Sequence, residues 1–305
     1  MPNLAPKTPG TASPPQGGAP GLGRPGAGHL QRWAGASRHR RVFLPLIAAL
    51  AVLAWAALSV WALSPYARYL DHGDWLVDGP VAALCRAIPA GTVLVPAALA
   101  ALAWVLMITA MMLPTALPLF EAFDRLGAGR PDHTRLLVLL GLGYLAAWGA
   151  FGLGAHALHS LLLARIDAWP GVAGHAWLIG AATIAGAGAF QFSRLKQRCL
   201  DKCRTPLSFV IEHWRGRRQA LQAFILGAHH GLYCVGCCWA LMLLMFAAGV
   251  ANLWWMAGLT ALMVYEKTGA GGRRAVPVAG LALLACSALV LAHPHWLPAI
   301  LGGSA

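Results

Sequence analysis

The stretch ALQAFILGAHHGLYCVGCCWALMLLMFAA, Ala220 to Ala248, runs 29 residues without a Lys, Arg, Asp or Glu. About 20 apolar residues are enough to cross roughly 30 Å of hydrocarbon as a helix, so this segment reads as a transmembrane span. Near its centre, AHHGLYCVGCCWALM (Ala228–Met242) carries three thiols and two imidazoles. Ionisable or metal-binding side chains at membrane depth are costly to keep there and mark functional sites. Cys together with His suits soft and borderline metals such as Cu(I) and Zn(II).

The rest of the chain is built of the same material. Its 305 residues are 58% hydrophobic and 11% charged, with 13 Trp, far more apolar than a soluble domain. Apolar runs fall near Val42–Leu63, Thr92–Leu113, Leu136–Leu163, Ala173–Phe192, Ala220–Ala248, Leu253–Tyr265 and Ala275–Leu291. The expected fold is therefore all-α, a polytopic helical membrane bundle of about seven transmembrane helices occupying residues 42–293. Residues 1–41 form a Pro/Gly-rich and then basic tail that cannot bury a core and is expected to be disordered, and residues 294–305 form a short C-terminal tail. Arg38, Arg40 and Arg41 before an apolar run, with Ala62-Leu63-Ser64 after it, have the outline of a signal peptide. The run is longer than a usual signal core, and a retained first helix is expected.

Basic residues give the orientation, because cytoplasmic loops carry the excess of Lys and Arg. With the N-terminus inside, 20 of the 23 Lys and Arg fall on that side, and only Arg68, Arg86 and Arg165 on the other. The net charge of +13 is thus topological, and no nucleic-acid surface is implied. Lipid is the first partner, in a bacterial cytoplasmic (inner) membrane with a cytoplasmic N-terminus. Small residues at Gly141, Gly143, Gly149, Gly152, Gly154 and from Gly180 to Gly188 suit close helix packing in lipid.

Residues four apart share a helix face. His230, Cys234, Cys238 and Met242 are so spaced, and Cys237 follows Cys234 by three. The stripe from His230 to Met242 is about 18 Å long at roughly 1.5 Å per residue, too long for one coordination sphere. Cys234, Cys237 and Cys238 are then the core ligands, with His229, His230 and Met242 as accessory or approach positions. The triple Cys is expected toward the outer side.

The strings GLYCVGCCWALM (Gly231–Met242), GVANLWWMAGLTALMVYEK (Gly249–Lys267), MMLPTALPLF (Met111–Phe120) and AGAGAFQFSRLKQRCLDKCRTP (Ala185–Pro206) occur as separated motifs. Together they resemble the bacterial family of predicted metal-binding integral membrane proteins of unknown function. The resemblance spans roughly Ala100 to Lys267 and implies a membrane metal site. It departs at Phe190, where the family pattern has Tyr before Gln191.

Further candidate ligands lie outside the stripe. Cys199 and Cys203 form a C-x-x-x-C pair in a basic, cytoplasmic stretch, where Arg198, Lys202 and Arg204 should favour thiolate. This pair is read as an exchange site for a soluble metal carrier. Met107 and Met111 share a face ahead of Pro114, which should close or kink the helix, and they are expected toward the cytosol. Asp71, His72, Asp74, Asp78, His156, His159, His293 and His295 read as solvated or interfacial, and Glu266 and Lys267 as an interfacial end of the sixth span. No Lys in the last span, no P-loop, no G-x-S-x-G and no H-E-x-x-H are present, so the retinal-protein, nucleotide-driven and common hydrolase classes find no support.

Thiolate with thioether favours Cu(I) over Zn(II). The expected function is a membrane protein that binds or translocates a metal ion, Cu(I) first. The alternative is a membrane thiol–disulfide oxidoreductase using Cys234 and Cys237, with Cys85 as a shuttle.

Overall fold

The computed structural model describes residues 27–64, 91–127, 130–167, 176–216, 218–248 and 252–293. Among these residues the fold is all-helical. The helices are α1 (Ala27–Ala62), α2 (Gly91–Met111), α3 (Leu113–Gly127), α4 (His133–Asp167), α5 (Ala176–Phe190), α6 (Arg194–Arg204), α7 (Pro206–His213), α8 (Gln219–Ala248), α9 (Leu253–Thr268) and α10 (Gly272–Ala292). The expectations for Asp71, His72, Asp74, Asp78, Cys85, His295, the first 26 residues and the C-terminal tail lie outside the described residues. Helix α1 begins at Ala27, ahead of the apolar run.

Among the described residues four helices are long and apolar enough to cross a membrane, through Pro45–Ala62, His133–Leu158, Gln219–Met245 and Gly272–Ala292. Helices α2 and α3 make a fifth if counted as one span bent by 63°. Seven apolar helices occupy the expected places, but α5 with 15 residues and α9 with 16 fall short of the roughly 20 that hydrocarbon demands. The basic stretch between α5 and α8, read in the sequence as a loop, folds into α6 and α7.

The bend at Met112 follows from Pro114, which has no N–H to give to the carbonyl one turn back and clashes with it. The orphaned acceptor is the Ala110 carbonyl, and the indole N–H of Trp55 on α1 donates to it at 3.1 Å. The Met112 carbonyl accepts from Thr115 Oγ1 at 2.8 Å and Tyr144 OH at 3.2 Å. Irregular backbone at membrane depth survives where side chains take over the freed groups in this way.

Helices α4 and α8 form the central pair, in contact through glycine. A methyl at Gly143 would lie 2.0 Å from the Phe224 carbonyl oxygen, and one at Gly227 would lie 1.9 Å from that of Leu140. Gly152 lets the Trp104 indole reach the Trp148 carbonyl at 3.0 Å. The expected packing role holds at these positions but not at Gly149, Gly154 or Gly186, which face open space. Helices α5 and α10 form a second pair beside it, joined by Ser287 Oγ donating to the Ala181 carbonyl at 2.9 Å.

Candidate metal centre

Helix α6 starts where the Ser193 side chain accepts from the Lys196 amide, relieving one of the unpaired N–H groups of a first turn. Its buried residues, Lys196, Cys199, Leu200 and Cys203, repeat at helical spacing and form one apolar-facing stripe. That stripe lies on α8 at Gly236, where an added methyl would meet Cys199 Sγ at 2.6 Å. The thiols of two helices thereby meet. Cys203 Sγ is 3.9 Å from Cys237 Sγ, Cys237 Sγ is 3.3 Å from Cys238 Sγ, and the Cys237 thiol donates to the Cys234 carbonyl at 3.2 Å. Cys234, Cys237 and Cys238 are each 1% exposed.

Cys199 and Cys203 were expected in a basic cytoplasmic stretch with thiolate character, on one face if that stretch is helical. Both are buried, and their basic neighbours are engaged elsewhere. Lys202 pairs with Glu212 at 2.9 Å, while Arg204 donates to the carbonyls of Glu266 and Gly269. Burial pushes the Cys199 thiol above its ordinary value. The Cys203 thiol is held well above it, first by its hydrogen bond to Cys234 and then by burial, which disfavours the charged form. All six described cysteines are free thiols.

The sequence reading placed Glu266 and Lys267 at an interface, and here the structure departs most. Glu266 is 1% and Lys267 5% exposed. Glu266 pairs with Lys196 at 2.7 Å. Lys267 Nζ donates to Cys234 Sγ at 2.9 Å and to Thr115 Oγ1 at 3.0 Å. Tyr144 OH stands 3.0 Å from the same sulfur. A buried ammonium is tolerated only with a partner. Among the described residues the partners of Lys267 are a sulfur and a hydroxyl, with no carboxylate. Lys267, Tyr144 and Thr115 were not among the sequence candidates, because a Lys closing an apolar run has the same look at an interface or in a core.

Cys234, at the middle of α8, is tied through Lys267 to the last turn of α9 and through Tyr144 to the bend at Met112. Met107, Met111, Met112 and Met242 are all fully buried in the same core. What reaches the Tyr144 hydroxyl beside Cys234 is the Met112 carbonyl.

The two adjacent histidines diverge. His230 is buried, its ring centroid 6.5 Å from that of Tyr144 and 5.3 Å from that of Phe209. His229 is exposed and meets His213 of α7, with centroids 5.8 Å apart. His213 was missed, since a single His in a basic stretch carries no spacing signal. Phe190, where a Tyr was expected, packs edge-on against Trp239 at 4.9 Å. Among the described residues no three His, Cys, Asp or Glu side chains converge closely enough to share an ion. The sulfurs make a chain of pairwise contacts, one end of which is held by Lys267.

Fold and site together define a helical protein with membrane-length helices that gathers soft donors in its interior. The chain belongs to the PpoB2 copper chaperone family, whose sequence profile matches residues 101–290. No curated protein and no solved structure matches it.

Proposed function

We propose that the protein is an integral membrane copper chaperone that holds Cu(I) as cargo between two thiolates at a time, drawn from Cys203, Cys234, Cys237 and Cys238. The observation that carries this reading is the approach of Cys203 on α6 to Cys237 on α8, 3.9 Å between sulfurs. It brings a fourth thiol to the three of α8. Family membership supports copper, and so does the donor chemistry, since thiolate and thioether select Cu(I). Charge balance supports it independently. Two thiolates on a monovalent ion leave one negative charge, and the buried Lys267 ammonium beside Cys234 neutralises it, as a low-dielectric interior requires. Two thiolates on a divalent ion need no such partner.

Met107, Met111, Met112 and Met242 line the same core as accessory thioethers, and His230 stands one turn from Cys234. The short helices α5 and α9 complete a seven-helix bundle in a bacterial inner membrane, with the basic α6–α7 segment on the cytoplasmic side facing a soluble metal carrier. The positive-inside rule supports this orientation, although Lys196 and Lys267, counted there, are buried.

The test is anaerobic purification in detergent, followed by elemental analysis and a free-thiol count. Copper near one ion per chain, with thiols shielded from alkylation, is expected. Cys203→Ser and Cys237→Ser should each lose most of the copper, and Cys199→Ser little. Wild-type copper in a Cys234→Ser, Cys237→Ser, Cys238→Ser variant would overturn the assignment.

A further inference from the structure

The turn from α7 into α8 forms a cleft of about 330 Å³ lined by His213, Arg218, Leu221, Gln222, Ile225, Leu226 and His229. Two imidazoles face each other across it at right angles, with centroids 5.8 Å apart. With metal–nitrogen bonds of about 2 Å, two imidazoles sharing one ion have their ring centres about 6 Å apart. His213 Nδ1 lies 2.9 Å from the Phe209 carbonyl oxygen. A carbonyl only accepts, so Nδ1 is the donor there, and in the neutral ring Nε2 is the nitrogen with the lone pair. This is the arrangement of metal-ligating histidines, whose second nitrogen donates to a carbonyl or carboxylate.

Two further observations point to a ligand. Gln222 donates its amide N–H to the His213 carbonyl at 3.2 Å, which fixes the side chain in the cleft wall. Its carbonyl oxygen is buried without a hydrogen-bond partner. Inward of the pair, Phe209 lies 4.4 Å from the His213 ring and 5.3 Å from the His230 ring, centroid to centroid. His230 is 2% exposed and its Nδ1 has no partner among the described residues. Arg218 also lines the cleft, but it is exposed and solvent screens its charge.

We propose that His213 and His229 form a peripheral acquisition site for one Cu(I) ion, separate from the thiol cluster and feeding it past Phe209 and His230. The proposal rests on the copper-carrying reading of the thiols. Imidazole is the weaker soft donor and thiolate the stronger, so an ion caught at the cleft is driven inward. His230 and Cys234 are one helical turn apart, about 6 Å at roughly 1.5 Å per residue.

Anaerobic titration of the full chain with Cu(I), followed by X-ray absorption spectroscopy, tests both sites separately. The first equivalent should show sulfur ligands, and the second two nitrogen ligands at low coordination number. His213→Ala with His229→Ala should lose the nitrogen-ligated equivalent, keep the sulfur-ligated one, and slow its loading severalfold. The triple Ser variant at Cys234, Cys237 and Cys238 should do the reverse. Because His229 is exposed, His229→Asn alone spares the fold and should give the same loss of nitrogen signature. A nitrogen-ligated equivalent surviving in both His variants, or thiol loading at the wild-type rate, overturns the acquisition site. Absence of sulfur-ligated copper in the wild-type chain, with the nitrogen-ligated ion present, overturns instead the thiol reading on which it rests.

Discussion

Lys267 Nζ and Cys234 Sγ lie 2.9 Å apart in the buried interior, joining the C-terminal turn of α9 to the middle of α8. Removing one member of a buried charged pair costs about 3–5 kcal/mol, because the other is left uncompensated. Cys234→Ala should therefore destabilise strongly. Adding Lys267→Met to Cys234→Ala should recover much of the loss. Denaturation in detergent, run as a double-mutant cycle, measures the coupling, and strictly additive losses would show that the two groups do not act as a pair.

Tyr144→Phe keeps the buried ring and deletes only the hydroxyl near Met112 and Cys234. The Met112 carbonyl keeps its bond from Thr115, so no acceptor is stranded and the stability cost should be about 1 kcal/mol. The larger effect is expected on copper release, read by transfer to a competing chelator. An unchanged release rate would remove Tyr144 from the site.

Gly227→Ala sets a methyl 1.9 Å from a backbone oxygen of α4, which cannot swing aside, whereas Gly149→Ala meets nothing. Overpacking costs about 1–3 kcal/mol and replacing an open helical Gly by Ala returns up to about 1 kcal/mol. The melting temperature should fall for the first variant and hold or rise for the second. Equal shifts would mean that α4 and α8 are not packed backbone to backbone.

The Cys199 thiol is raised from its ordinary value of 9.0 by burial. A raised thiol holds its proton more tightly in the folded state, so the stability it contributes is complete below the ordinary value. That contribution is lost as pH climbs through the raised one. Alkylation of Cys199 should accordingly be slow at neutral pH and accelerate only in alkaline solution. Rapid alkylation at pH 7, mapped by mass spectrometry, would instead place this thiol in the solvated loop suggested by its basic neighbours.

Much of the fold was legible in single residues. Pro114 announced the break between α2 and α3, and the charge-free run from Ala220 to Ala248 announced α8. The thiols of α8 were visible because three Cys fall within five residues beside two His, whereas a lone Cys in an apolar run is usually only a small buried residue. Burial of α6 was not, since eight Lys and Arg between Arg194 and Arg218 read as a loop in water. What overrides that reading is the placement of those charges. Lys196 finds Glu266, Lys202 finds Glu212, and Arg204 finds the last carbonyls of α9. Each is a contact between residues far apart in the chain or on different helices, which spacing along one helix cannot reveal. Lys267 was hidden for the same reason, as were His213 and His229 as a pair.

The indole of Trp55 gives the Ala110 carbonyl the hydrogen that Pro114 lacks. Trp55 belongs to α1, outside the stretch that matches the family, residues 101–290. Shared ancestry and mechanical self-sufficiency thus have different borders in this molecule. A chain trimmed to the matched stretch would keep the four thiols gathered on α6 and α8 yet strand a polar acceptor beside the hinge that sets Met112 against Tyr144. The first helix is a strut of the thiol-bearing interior, and grafting that interior onto another leader would have to reproduce that one indole.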